Sequence, residues 1–384
     1  MTLFTRPFVI TCLATFFFYL SFYLILPVMP LYVADMGGTS TQLGLIIGLF
    51  AFMAMVLRPP AGWIIDTRGS FLVLVTGVAI FFLASLGYVL ARSVEAVLAL
   101  RLFHGMGMGL FPTAAAVVVA EVAPLSRRGE AMGWFGIANS AGMVIGPTTG
   151  TAVSIRMGFP VLFLLAGGVA FLGLACLAML PRPGKPSGRR GQPASLGDFY
   201  SPAALLPSLI LLFLYVPYGA MVAFIPIIAT QRGLANAGIF YTVFALAVLL
   251  VRAKAGQISD RRGRAAVILP GMLVASVAFA TLGLTSGTVG VLASAAIYGV
   301  AFGAVQPALL ALTADRVRPE ERGKAMGTFY TAWELGISSG AVAAGLLLKV
   351  AEFPVMWLWS AGMPVLGALL SLKARSSSLP RVSS

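Results

Sequence analysis

The sequence predicts an all-α membrane protein of twelve transmembrane helices, arranged as two pseudo-symmetric six-helix bundles. The 384-residue chain is 59% hydrophobic and only 10% charged, with a mean hydropathy of +0.97. Soluble domains carry roughly 25% charged residues, so this chain lacks the polar surface that water requires. Its apolar residues fall into twelve runs, each near the ~20 residues that a helix needs to cross the hydrocarbon. Its two halves also repeat one another at a constant offset of 194 residues.

The first span is read at 7–33, too long for a signal-peptide core and followed at once by another span, so it is expected to be retained. Spans 2 to 6 follow at 41–64, 71–91, 95–119, 131–154 and 158–180. Pro, Gly, Ser and four basic residues then make "PRPGKPSGRRGQPASLGDFY", 181–200, a solvated linker and not a thirteenth span. Spans 7 to 12 follow at 202–229, 234–254, 265–285, 288–314, 325–348 and 354–372. The expected domains are an N-terminal bundle at 1–180, a cytoplasmic linker at 181–200 and a C-terminal bundle at 201–384.

Basic residues in short loops set the orientation. With the N-terminus inside, the inner side collects Arg6, the Arg58–Arg68 turn, Arg127, Arg128, the linker, the Arg252–Arg264 turn, the Arg316–Lys324 turn and the C-terminal tail. The outer side holds Arg92, Arg156, Arg232 and Lys349, and Arg101 falls inside a span. Both termini are expected in the cytoplasm, with the chain multi-pass in the inner (plasma) membrane.

The formal charge of +14 would suggest nucleic acid in a soluble protein. Here the cations sit mostly in short connections without aromatic interleaving, so no nucleic-acid partner is expected. Cys12 and Cys176 lie in apolar runs without a nearby His or Cys and read as buried small hydrophobes. No metal or cofactor is implied. A membrane enzyme would need a catalytic set at one interface, which a chain with a single His does not supply. The expected partners are a small-molecule substrate, protons and the lipid bilayer, and the chain is expected to be monomeric.

The repeat is carried by three separate blocks. "GWIIDTRGS" from Gly62 matches "GQISDRRGR" from Gly256, and "AEVAPLSRRGEAMG" from Ala120 matches "ADRVRPEERGKAMG" from Ala314. Arg58 pairs with Arg252, Gly105 with Gly299 and Gly109 with Gly303. Parallel six-helix repeats form a known transporter architecture with its substrate site near the midplane. On these blocks the whole chain resembles the major facilitator superfamily. The loop after span 2 is similar to that family's first signature. The second copy, Gly256, Asp260, Arg261, Gly263 and Arg264, matches fully. The first copy has Gly62, Asp66, Arg68 and Gly69, with Thr67 and Ser70 where basic residues are usual. The resemblance implies a conformational latch in which the Asp braces the cytoplasmic end of span 11, weakened here by the two missing cations.

Span 4 carries "RLFHGMGMG", similar to the family's second signature through Arg101, Gly105 and Gly107. A cation inside a span is costly and functional by default. His104 lies three residues on, sharing the Arg101 face of the helix. The pair either takes part in proton coupling, or Arg101 snorkels or braces carbonyls while His104 fills a polar slot. In span 5, Gly133, Gly142, Gly146, Pro147 and Gly150 resemble the antiporter signature, with Thr151 in place of its last glycine. Steps of four put Gly142, Gly146 and Gly150 on one face, a groove that lets backbones approach closely, and Pro147 adds a bend. Span 11 repeats the stripe as Gly336, Gly340 and Ala344 without a proline.

Glu334 is the one carboxylate placed deep in a span, roughly 14 Å along span 11 at about 1.5 Å per residue. Tyr330, Thr331 and Ser338 share its side of the helix. Burial disfavours its charged form, which suits either a proton carrier or a protonated hydrogen-bond donor between helices. The resemblance implies a cavity lined by spans 1, 4, 7 and 10, with Tyr19, Tyr23, Tyr215, Tyr218, Tyr298 and Gln306 as candidates. Asn139 in span 5 and Tyr330 in span 11 join them, although membrane aromatics are as often packing or interfacial anchors. The function so implied is proton-coupled export of small apolar or cationic compounds, as in multidrug efflux, by alternating access. A specific metabolite exporter (of a sugar, metallophore or amino-acid derivative), or a symporter or uniporter of the same fold, is the alternative.

Overall fold

In a bilayer no water satisfies the backbone, so spanning segments close their hydrogen bonds internally. The computed structural model describes residues 3–124, 128–180, 201–317 and 322–376 and is helical almost throughout. The linker 181–200, Arg127 and the end of the tail with Arg381 lie outside the described residues.

The α-helices run in chain order as α1 Arg6–Ile25, α2 Met29–Asp35, α3 Ser40–Arg68, α4 Ser70–Leu90, α5 Val94–Val122, α6 Arg128–Met157 and α7 Phe159–Ala178. After a short 3-10 turn at Pro202–Ala204 come α8 Leu205–Gln231, α9 Gly238–Arg262, α10 Ala265–Leu284, α11 Thr288–Asp315, α12 Arg322–Leu347 and α13 Phe353–Ser376. These make the twelve spans, because α1 and α2 together form the first. The sequence read that span as continuous, but the helix breaks at Leu26–Val28. Pro27 lies within the break and Pro30 in the first turn of α2, each lacking the N–H that an unbroken helix would use.

Local signals start the helices. Thr39 and Gln42 form a reciprocal capping box at the head of α3, with Thr39 N–H donating to Gln42 Oε1 at 2.9 Å. Ser93 Oγ accepts from Ala96 N–H at 3.2 Å to begin α5. Nine helical stretches among the described residues are long and apolar enough to cross a membrane. The remaining spans, α6, α9 and α12, have the length but carry glycine, hydroxyl and charged residues. At 30, 25 and 26 residues they reach roughly 45, 38 and 39 Å.

The chain forms two compact units, Met1–Ala194 with Val222–Thr242, and Ser195–Met221 with Val243–Ser384. In the first, α1 packs on α6 and α7, and α5 packs on α3 and α4. Its core holds an aromatic stack in which Phe18 lies 3.9 Å from Phe81 and 4.2 Å from Phe111, centroid to centroid. In the second, α10 packs on α11 and α13, and Tyr298 Oη on α11 donates to the Leu214 carbonyl of α8 at 2.8 Å.

The sequence repeat reappears as repeated packing. A Cβ on Gly105 would strike the Phe50 carbonyl, and one on Gly299 the Phe244 carbonyl, 194 residues later. Gly109 lies against the Ala54 carbonyl at 2.7 Å and Gly303 against that of Val248 at 2.8 Å, measured from the same hypothetical Cβ. Each half therefore presses its fourth span onto its second through glycines that no larger residue can replace without displacing backbone.

Candidate functional site

The second unit gathers aromatic side chains around Glu334. That residue lies twelve positions into α12, is 5% exposed, and stands within electrostatic reach of Tyr215 and Tyr218 on α8. The Tyr215 ring lies tilted at 4.5 Å from Trp333 and meets Phe302 edge-to-face at 5.2 Å, and Tyr218 lies 5.5 Å from both Tyr215 and Phe302. Tyr330 approaches Trp333 at 5.8 Å. Phe244 and Tyr298 extend the cluster, their rings stacked at 5.5 Å. The structure so brings Glu334, Tyr215, Tyr218, Tyr298 and Tyr330 into one neighbourhood. Thr331 turns its hydroxyl back to the Gly327 carbonyl at 2.9 Å.

Gln306 accepts a hydrogen bond at 2.8 Å from Arg252 Nη2, and Arg252 also acts electrostatically on Tyr215. Sequence reasoning had Arg252 at the inner end of span 8 and did not connect it to Gln306; in the structure it reaches from α9 across to α11. Trp333, Phe302 and Phe244 were likewise not singled out. The single available signal was Trp333, adjacent to the deep acid.

The second centre lies in the first unit, on α3, α4 and α5. Arg101 and His104 are both 0% exposed. Arg101 does not snorkel: its Nε donates to the Ile46 carbonyl at 2.7 Å, and its guanidinium carbon lies 4.2 Å over the Phe50 ring. His104 Nδ1 shares a hydrogen bond of 3.1 Å with the Tyr88 hydroxyl. Its ring lies edge-on to Phe81 at 4.1 Å and to Phe50 at 5.3 Å. Tyr88, placed by α4, was absent from the sequence reading because nothing in its spacing ties it to α5.

Tyr19 and Tyr23 of α1 stack at 6.1 Å, and Tyr23 Oη donates to Asn139 Oδ1 on α6 at 3.3 Å. These three residues lie together in the first unit. Beside them runs the glycine stripe. A Cβ on Gly142 would come within 2.9 Å of the Leu20 nitrogen, one on Gly146 within 2.6 Å of Tyr23 Cβ, and one on Gly150 would strike the Leu24 carbonyl. Gly133 faces open space. In the second unit Gly336 and Gly340 of α12 meet Tyr215 and Val216 of α8 in the same manner.

Pro147 has a partner that the sequence did not reveal. The segment Val222–Thr242, which compactness assigns to the first unit, docks on α6 at this proline. Gly238 abuts the Pro147 carbonyl with no room for a Cβ. Asn236 Nδ2 donates to the Thr148 carbonyl at 3.1 Å, while its Oδ1 accepts from Gly238 N–H at 2.8 Å. The Thr148 and Thr242 hydroxyls pair at 2.6 Å, and Thr242 also donates to the Val144 carbonyl at 3.2 Å.

The two signature turns share a backbone. Gly69 and Gly263 both adopt φ +89°, a region that side chains strain to enter. Gly62 and Gly256 sit inside α3 and α9 with nothing within 4 Å of a hypothetical Cβ. Arg264 Nε pairs with Asp315 Oδ2 at 2.9 Å, and its Nη1 donates to Ser259 Oγ at 3.2 Å. The partners are 23% and 53% exposed, so the pair contributes at most about 1 kcal/mol. Arg68 and Arg261 are exposed. The side chains of Asp66 and Asp260, the central acids of the expected latch, lie outside the described residues.

With this geometry in view, known proteins supply comparisons. The family described as Major Facilitator Superfamily matches residues 11–341 and 236–383. The chain is 30% identical over 390 residues to the MFS-type transporter YhhS of Salmonella typhimurium, covering 95% of this chain and 92% of that one. It is 25% identical over 342 residues to the Staphylopine export protein of Staphylococcus aureus, covering 86% of each. Among solved structures, a POT family transporter in complex with 5-aminolevulinic acid superposes with a TM-score of 0.83 at 14% identity, covering 97% and 96% of the two chains.

Proposed function

The chain belongs to the Major Facilitator Superfamily, and from that premise we propose that it is a proton-coupled exporter of small apolar or cationic compounds working by alternating access. The observation that carries this reading is Glu334, a carboxylate 5% exposed on a membrane-spanning helix and set beside Tyr215, Tyr218 and Trp333. A buried acid exchanges charge for neutrality by taking a proton. Aromatic faces attract organic cations and accommodate apolar surface. Glu334 takes a proton from outside and releases it inside, while the substrate leaves in the opposite direction. Arg101 and His104 are further candidates for coupling. On this reading the protein is a monomer in the inner (plasma) membrane with both termini cytoplasmic, an orientation supported by the basic residues of the inner loops.

The test is efflux of a fluorescent lipophilic cation from de-energised, dye-loaded cells given an energy source. Intact protein should export the dye in a protonophore-sensitive manner, and Glu334→Gln should reduce efflux to the vector level at equal expression. Vector-level efflux from the intact protein overturns the cation reading. A second reading, export of one specific metabolite, is favoured by the likeness to the Staphylopine export protein. Mass spectrometry of material retained by cells lacking the protein tests it.

A further inference from the structure

Around Arg101 there are more hydrogen-bond donors than acceptors. A guanidinium carries donors alone, and among the described residues neither Nη1 nor Nη2 finds an acceptor, nor does His104 Nε2 find a partner. Both side chains are 0% exposed, and His104 lies within electrostatic reach of Arg101. From α3 the centre meets Ile46 and Phe50, and from α4 Phe81 and Tyr88. No ion pair to Arg101 occurs among the described residues. The Ile46 carbonyl engages only Nε, the Tyr88 hydroxyl within reach of the guanidinium is neutral and shared with His104 Nδ1, and the Phe50 face offsets charge without offering a lone pair. A buried cation left in this state is costly. A water molecule would satisfy donors but leave the charge uncompensated, whereas an anion does both.

We propose that Arg101, His104 and Tyr88 form a binding site for one small monovalent anion. The terminal guanidinium nitrogens hold the anion, and His104 Nε2–H is the second donor. The tautomer this site uses has the Tyr88 hydroxyl as donor to Nδ1 and the ring proton on Nε2, a direction that the 3.1 Å contact accommodates. Phe50 and Phe81 flank the centre and shield it from competing water. The ligand is a halide or a carboxylate group borne by a solute. The site stands on the first unit alone and does not depend on the proton-coupled export reading.

The test uses the full chain in lipid nanodiscs, exchanged into a sulfate buffer free of chloride and carboxylates and titrated at constant ionic strength with chloride, bromide or formate. The thermal midpoint should rise saturably with at least one of these anions. A response to chloride and bromide alone identifies a halide, and a response to formate alone identifies a carboxylate. Arg101→Gln should abolish the response. Because that change also removes the Ile46 brace, His104→Phe is the second variant, expected to raise the half-saturating concentration about tenfold, the worth of one hydrogen bond to a charged group. Absence of a saturable response in the unaltered protein overturns the proposal, as does a response in Arg101→Gln or His104→Phe equal to that of the unaltered chain.

Discussion

At Gly150 a methyl group would be driven into the Leu24 carbonyl, while at Gly133, seventeen residues earlier on the same helix, it would meet nothing within 4 Å. Gly150→Ala is therefore expected to cost about 1–3 kcal/mol through overpacking, and Gly133→Ala to stabilise by up to about 1 kcal/mol through helix propensity. Thermal unfolding of the two purified variants separates these outcomes by sign. Single residues were legible in the sequence when their chemistry clashed with their surroundings, as Arg101 and Glu334 do within apolar runs. Their partners were not. Phe50 and Tyr88 reach Arg101 and His104 from other helices, and one apolar or aromatic residue in a membrane span looks like any other until packing chooses among them.

The start of α9 is built around α6. Asn236 bridges the Gly238 amide and the Thr148 carbonyl, and Thr242 reaches both the Thr148 hydroxyl and the Val144 carbonyl. Asn236→Ala removes two hydrogen bonds, each worth about 1 kcal/mol, and is expected to lower the thermal midpoint and to increase exchange of the amide hydrogens at 236–242. Unchanged exchange there would show that the contact holds nothing in place. Element existence was well specified by the sequence: hydropathy marks most of the spans, and run length together with the repeat marks α6, α9 and α12. Two features were not. The break in the first span was missed although Pro27 and Pro30 stood in view, since the apolar run continues through them. The docking of Asn236 was invisible because a polar residue beside a glycine reads as an ordinary loop.

For the molecule as a whole, the positive-inside bias of the loops is the physical ground for orientation. Fluorescent proteins that mature only in the cytoplasm should glow when fused to either end of the chain, and a dark fusion at one end would require an odd number of crossings. The twofold repeat was legible from aligned motifs, and the structure adds that it extends to matching carbonyls beneath Gly105 and Gly299. What the sequence did not foretell is that compactness joins Val222–Thr242 to the first unit, since that depends on contacts between residues nearly a hundred positions apart.

The twin turns at Gly69 and Gly263 have one further consequence. They hold the same φ of +89°, yet Ser70 follows one and Arg264 follows the other. The molecule thus carries its own reference sample at the turns, where a residue of one half has a sibling on the same backbone under different chemistry. Comparing siblings within a single polypeptide cancels expression level, lipid composition and insertion efficiency, because both members experience them equally. A mutational scan read as sibling differences would isolate what each half has gained since duplication, without any second protein for comparison.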